Sequence, residues 1–198
     1  KLEILPGHPI YKLFPIANSL ELTYILGADG LTIQVKVSNL DQEKRFPFGF
    51  GIHPYFNVLG LKSQVKLYVP AKKWMEAVNL IPTGRLIDLD KSPADLSKPT
   101  KLSGLNLDEV WYGMEPKKPQ AIIYEALGKK MVLYASDIFT HSVTYTPPFE
   151  SFLCVENQTN STDCHNLYAK GFEEEAHLLI LKPGESISGT IRFCVEGI

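Results

Sequence analysis

The feature that most constrains this chain is a run of strict alternation. Leu31, Ile33, Val35 and Val37 interleave with Thr32, Gln34, Lys36 and Ser38. A period of two puts one apolar face on a core and leaves the other polar, the signature of a half-buried strand. The turn residues Gly27-Ala28-Asp29-Gly30 stand just before it, so residues 20–39 are expected as a β-hairpin. The pattern recurs. Val65, Leu67 and Val69 alternate up to Pro70, and further strands are expected at 121–126, 131–135, 141–146, 151–155, 176–181 and from 187 onward. In the last of these Ile187, Ile191, Phe193 and Val195 share a face. No helical period persists beyond about two turns, and no repeat is present. Residues 1–18 read as an irregular lead-in, and 71–101 as a long connection with one short helical turn near Ala94-Asp95-Leu96. The expected class is all-β, in stacked antiparallel sheets forming a single domain over 1–198.

Composition excludes several function classes. A formal net charge of −2 in 198 residues gives no electrostatic case for nucleic acid or an anionic membrane. No apolar run is long enough to span a bilayer as a helix. Three cysteines, Cys154, Cys164 and Cys194, without a Cys-x-x-Cys pair argue against a disulfide framework and a zinc module. They lean towards a reducing, cytoplasmic setting. The two Asn-x-Thr triplets, at Asn157 and Asn160, are short enough to arise by chance.

Four stretches carry candidate chemistry. In Gly51-Ile52-His53-Pro54-Tyr55-Phe56-Asn57 a short apolar run meets a histidine, and Pro54 biases His53 to an extended backbone. An imidazole titrating near neutrality beside two aromatics suits proton donation to a sugar, with Tyr55 stacking on its apolar face; a histidine capping a sheet edge is the alternative. In Phe152-Leu153-Cys154-Val155-Glu156-Asn157-Gln158-Thr159 an apolar run ends in a carboxylate. Such a group is costly to bury unless paired or functional, and burial raises its pKa, which makes Glu156 the foremost general-base candidate. In Asp108-Glu109-Val110-Trp111-Tyr112, Asp108 offers an acceptor for sugar hydroxyls and Trp111 a stacking surface; a loop acid beside a core tryptophan is the competing reading. The polar stretch Thr162–Tyr168 offers Asp163 and His165 as ligands, but turn chemistry explains Asp163 and Asn166 more simply and it reads as a loop; Glu173-Glu174-Glu175 reads as a solvated turn.

In order and spacing these stretches resemble the aldose 1-epimerase (galactose mutarotase) family, together with the closing Leu179-Ile180-Leu181-Lys182-Pro183-Gly184-Glu185-Ser186. The resemblance implies an antiparallel β-supersandwich with a sugar site, and mutarotation of a free aldohexose of the glucose or galactose type. It implies Glu156 as general base at the C1 hydroxyl and His53 as general acid at the ring oxygen. Asp108, Tyr55, Trp111 and Gln158 would bind substrate, with no metal or organic cofactor. Family members begin before the position equivalent to Lys1, with early strands, a substrate-binding arginine and a second histidine; the chain is therefore expected to be the later part of the domain. Asn157 stands where many members carry proline. The alternatives are a hexose-6-phosphate epimerase, which needs clustered arginines where Arg45, Arg85 and Arg192 are scattered; a non-catalytic carbohydrate-binding or scaffold domain; and a two-carboxylate glycosidase built on Asp108 and Glu156.

Overall fold

The computed structural model describes residues 1–198. In chain order the strands are β1 (Leu2–Ile4), β2 (Asn18–Gly27), β3 (Gly30–Asn39), β4 (Phe46–Phe48), β5 (Tyr55–Asn57), β6 (Val65–Tyr68), β7 (Lys73–Val78) and β8 (Ile81–Ile87). They continue as β9 (Thr100–Lys101), β10 (Asp108–Tyr112), β11 (Gln120–Tyr124), β12 (Lys129–Ala135), β13 (His141–Tyr145) and β14 (Phe152–Gln158). Two short helices follow, α1 (Cys164–Ala169) and α2 (Glu173–Ala176), before β15 (Leu179–Leu181) and β16 (Ser186–Gly197).

Every named pairing is antiparallel. An eight-stranded sheet runs β1-β2-β3-β16-β12-β11-β6-β9, a six-stranded sheet runs β5-β14-β13-β10-β7-β8, and β4 and β15 form a separate ribbon. The hairpin expected over 20–39 is present, with Gly27 paired to Gly30 across a two-residue turn. The principal core lies between the two large sheets. Val65, Leu67, Ile122 and Leu133 from the eight-stranded sheet meet Trp111, Leu153 and Val155 from the six-stranded one. These side chains are at most 3% exposed, so each forfeits about 1.5–3 kcal/mol if returned to water. A second cluster packs the β4–β15 ribbon on β3 and β16 through Phe46, Phe48, Val35 and Ile191. A third seats α1 and α2 on the outer face of the six-stranded sheet, where Leu167 and Ala176 meet Met75, Val110 and Val143.

Several expectations are corrected. The lead-in contains β1, which pairs with the start of β2 and forms an edge of the large sheet. The long connection holds the β7–β8 hairpin, and its single helical turn lies at Leu89–Lys91 rather than at 94–96. The polar stretch after Thr162 is helix α1, and the triple glutamate opens α2. The strand expected at 176–181 is confined to β15, because Ala176 closes α2 and His177 adopts a left-handed backbone at φ 48°. The final strand follows the expected alternation up to Arg192, but at its end the pattern inverts: Cys194 on the opposite face is buried at 4% exposure while Val195 is 60% exposed.

Candidate functional site

The site grows from the pairing of β14 with the chain around His53. β5 pairs with β14 so that Tyr55 faces Cys154, and upstream an isolated bridge joins Gly51 to Gln158. The two pairings belong to one register, which sets His53 opposite Glu156. Pro54 has no N–H to give the ladder and interrupts it between these contacts. Directly opposite residues in an antiparallel pair bring their Cβ atoms to roughly 5 Å. Glycine makes the approach feasible: a Cβ at Gly49 would stand 2.0 Å from Asn160 Oδ1. The Phe50 N–H donates to Thr159 Oγ1 at 2.9 Å, locking the segment beside the end of β14.

His53 Nδ1 consequently lies 3.1 Å from Glu156 Oε1. Glu156 is 4% exposed, whereas more than half of the His53 side chain faces solvent. Burial pushes the Glu156 carboxyl above the ordinary carboxylate range; His53 and the hydrogen bond from Gln158 pull it back, and the charge of Asp108 adds a smaller upward push. Gln158 Nε2 donates to Glu156 Oε2 at 3.1 Å and fixes the second carboxylate oxygen. The Tyr55 ring stacks on His53 with centroids 4.9 Å apart and planes within 4°, and Phe152 packs edge-on against Tyr55. The imidazole is thereby held in one plane.

Strand parity decides which other candidates join them. Residues 154, 156 and 158 of β14 and 108, 110 and 112 of β10 face outward from the sandwich, as do 141, 143 and 145 of β13 between them. Asp108 pairs with Tyr145, which in turn pairs with Cys154, so Asp108 stands two strands from the centre of the site, about 10 Å. A cleft of about 470 Å³ is lined by His53, Tyr55, Asp108, Glu156 and Gln158, joined by Tyr145 and Thr162. A second lobe of about 410 Å³ extends from Glu156 past Asn160 to Asp163 and His165. Neither lobe contains a lysine or arginine.

Trp111 is the exception. It is three residues from Asp108 on one strand, hence on the opposite face, fully buried in the principal core with its indole N–H donating to Thr144 Oγ1 at 3.0 Å. It supports the sheet beneath the cleft and offers no surface to a ligand. Sequence reasoning missed Tyr145 and Thr162, whose place in the cleft comes from strand register and from the turn into α1. The Asn157 sequon is likewise internal, its side chain 2% exposed. All three cysteines are free and buried, and no helix is long and apolar enough to cross a membrane.

The aldose 1-epimerase family model matches residues 2–194 of this sequence. No curated protein matches it. Among solved structures, a galactose mutarotase-like protein from Clostridium acetobutylicum superposes with a TM-score of 0.86 at 19% identity, over 100% of this chain and 61% of that one. A galactose mutarotase-like protein from Lactobacillus casei gives a TM-score of 0.74 at 19% identity, covering 98% of this chain and 68% of its own. A galactose mutarotase related enzyme from Lactobacillus acidophilus gives 0.74 at 16% identity, with 99% and 66% covered. At such identities the likeness concerns the fold, and this chain spans about three fifths of the length of the Clostridium protein.

Proposed function

The chain belongs to the aldose 1-epimerase family, and we propose that it interconverts the α and β anomers of a free aldohexose through Glu156 and His53. The observation that carries this reading is the 3.1 Å approach of His53 Nδ1 to Glu156 Oε1 on an open cleft. The two oxygens of a cyclic hemiacetal, the C1 hydroxyl and the ring oxygen, are bonded to the same carbon. A base for one and an acid for the other must therefore stand side by side, as cross-strand neighbours do.

Glu156 removes the proton from the C1 hydroxyl while His53, in its protonated form, delivers one to the ring oxygen. The C1–ring oxygen bond breaks, leaving an open-chain aldehyde. Rotation about C1–C2 presents the other face of the carbonyl. The hydroxyl that was the ring oxygen then returns its proton to His53 as it attacks C1, and Glu156 gives its proton to the new C1 oxygen. Both groups end as they began. Burial strengthens Glu156 as a base by raising its proton affinity. Gln158 orients the carboxylate, Asp108 accepts from sugar hydroxyls across the cleft, and Tyr55 offers its exposed ring to the sugar's apolar face. That neither lobe is lined by a lysine or arginine supports a neutral sugar over a sugar phosphate.

Polarimetry of freshly dissolved α-D-glucose and α-D-galactose tests the proposal. The expected result is a faster approach to equilibrium rotation than in buffer, an acceleration that Glu156→Gln abolishes. No acceleration by the chain, or full activity in the variant, overturns it.

A further inference from the structure

One cysteine shares the outward face of β14 with the acid–base pair. Cys154 is two residues from Glu156, so both side chains leave the strand on the same side, and His53 lies across the register. Cys154 Sγ, a Glu156 carboxylate oxygen and a His53 ring nitrogen all lie within 4.8 Å of one another. We propose that these three side chains form a site for a zinc-like divalent cation, and that its occupation switches off the acid–base pair.

The donor set suits such an ion. Thiolate, imidazole and carboxylate are the ligands zinc takes in proteins, and three protein ligands with a fourth position open to water is a recurrent arrangement. A tetrahedral zinc with ordinary bond lengths requires its nitrogen and oxygen ligands to stand about 3.3 Å apart, and sulfur and nitrogen about 3.5 Å. The nitrogen and oxygen are already at 3.1 Å. The sulfur, at most 4.8 Å from each of the other two donors, must close by up to about 1.3 Å, through side-chain adjustment of Cys154 and Glu156 as well as His53. Cys154 is buried, opposite Tyr55 in the β5–β14 pairing. The ion therefore enters from the solvent-facing His53 side, and the thiol, whose pKa burial pushes up to about 12, gives up its proton to solvent only as the metal takes its place. In the bound state Glu156 and His53 hold the ion with the atoms that face each other in the free protein. Neither then exchanges a proton with sugar.

Binding is independent of catalysis, whereas the inhibitory consequence rests on the acid–base reading above, and one experiment separates the two. The protein is titrated with Co2+ while the thiolate-to-cobalt charge-transfer absorption is followed, then challenged with Zn2+. The expected result is one equivalent bound, with a band that Zn2+ removes. The band is lost in Cys154→Ser but retained in Cys164→Ser and Cys194→Ser, and affinity falls at least about 10-fold in His53→Asn. Should Cys154→Ser not fold, His53→Asn, altered at a solvent-facing side chain, decides the matter. No band, a band that survives in Cys154→Ser, or unchanged affinity in His53→Asn overturns the site. In parallel, Zn2+ is expected to suppress sugar anomerisation in proportion to occupancy, reversibly on chelation; undiminished activity at full occupancy overturns the switch. Metal binding in a chain that never accelerates anomerisation supports the site and removes the catalytic reading alone.

Discussion

His53 and His141 contact neighbouring positions on β14, yet the fold uses them in opposite ways. His53 lies opposite Glu156, stacked on Tyr55 with most of its ring in solvent, its Nδ1 turned to a carboxylate. His141 lies opposite Gln158 with no exposure at all, sealed under the segment that carries α1 and α2. Its Nε2 faces the Glu175 carbonyl oxygen at 3.0 Å and must carry the proton, leaving Nδ1 to accept from the Thr140 hydroxyl at 2.9 Å. Burial pushes the His141 pKa down to about 3; nearby His177 pushes the same way, against the Glu175 carbonyl. One imidazole is open to solvent at the cleft, and the other is a neutral strut. The comparison teaches that residue type supplies the chemistry and the covering layer decides whether it is used: the helices that bury His141 stop short of Glu156.

If that division holds, changes at the open end alter rate and changes at the sealed end alter stability. Glu156→Gln is expected to have the largest effect, lowering kcat for anomerisation by about 10⁴-fold while circular dichroism and the unfolding midpoint stay near those of the parent. His53→Asn is expected to lower kcat by about 10²–10⁴-fold; a severalfold change in polarimetric rate would reduce His53 to a structural role and erase the contrast with His141. Acid titration sharpens the other half. His141 binds a proton near pH 6.5 when unfolded but only near 3 when folded, so below 6.5 the unfolded state holds more protons and stability falls with pH. The loss between pH 6.5 and 4.5 is expected to be about 2 kcal/mol in denaturant unfolding, and His141→Gln is expected to remove this component of the slope. Asp108→Asn, at the margin of the cleft, is expected to raise KM about 5- to 10-fold with little change in kcat, as for loss of one charge-assisted hydrogen bond. Trp111→Phe is expected to have the smallest effect on activity: it forfeits the indole bond to Thr144 and some packing, so about 1–2 kcal/mol of stability is expected to be lost with kcat unchanged. A Trp111 variant that raised KM at full stability would contradict its assignment to the core.

What could be read from the residues depended on whether their signal was local. The β2–β3 hairpin is written in consecutive residues, an alternating face joined to a glycine-bounded turn. The β7–β8 hairpin is not. Its turn places Asn79 and Leu80 at φ 52° and 65°, and a leucine there conceals a turn that ordinarily announces itself with glycine. An irregularity between Met75 and Ala77 also breaks the period of two. Helix α1 begins at Asp163 in a left-handed conformation without a side-chain cap, so the usual starting signal is missing. In the site, Glu156 was legible as a carboxylate closing an apolar run and His53 as a histidine pinned before proline, whereas the shared face of Glu156 and Gln158 follows from β14 running on to Gln158, past the expected end at 155. For Trp111 the core reading holds over the sugar-stacking one, since residues three apart on a strand cannot both reach one cleft. Tyr145 and Thr162 left no local mark, since only register and the turn into α1 bring them beside the carboxylate.

The position of β5 at the rim of the six-stranded sheet has a consequence for how activity is lost. β5 is three residues long and bonded on one side only, to β14. Pro54 removes one more rung beside His53. Such an edge opens at a lower free energy than the sandwich as a whole. Under mild denaturant or warming, the amides of Tyr55 and Phe56 are expected to exchange with deuterium ahead of those in β11 and β12, and turnover to fade while global spectroscopic signals are still native. The working temperature of this protein is then set by one short marginal strand, and measures that raise the melting point of the core will leave it where it is.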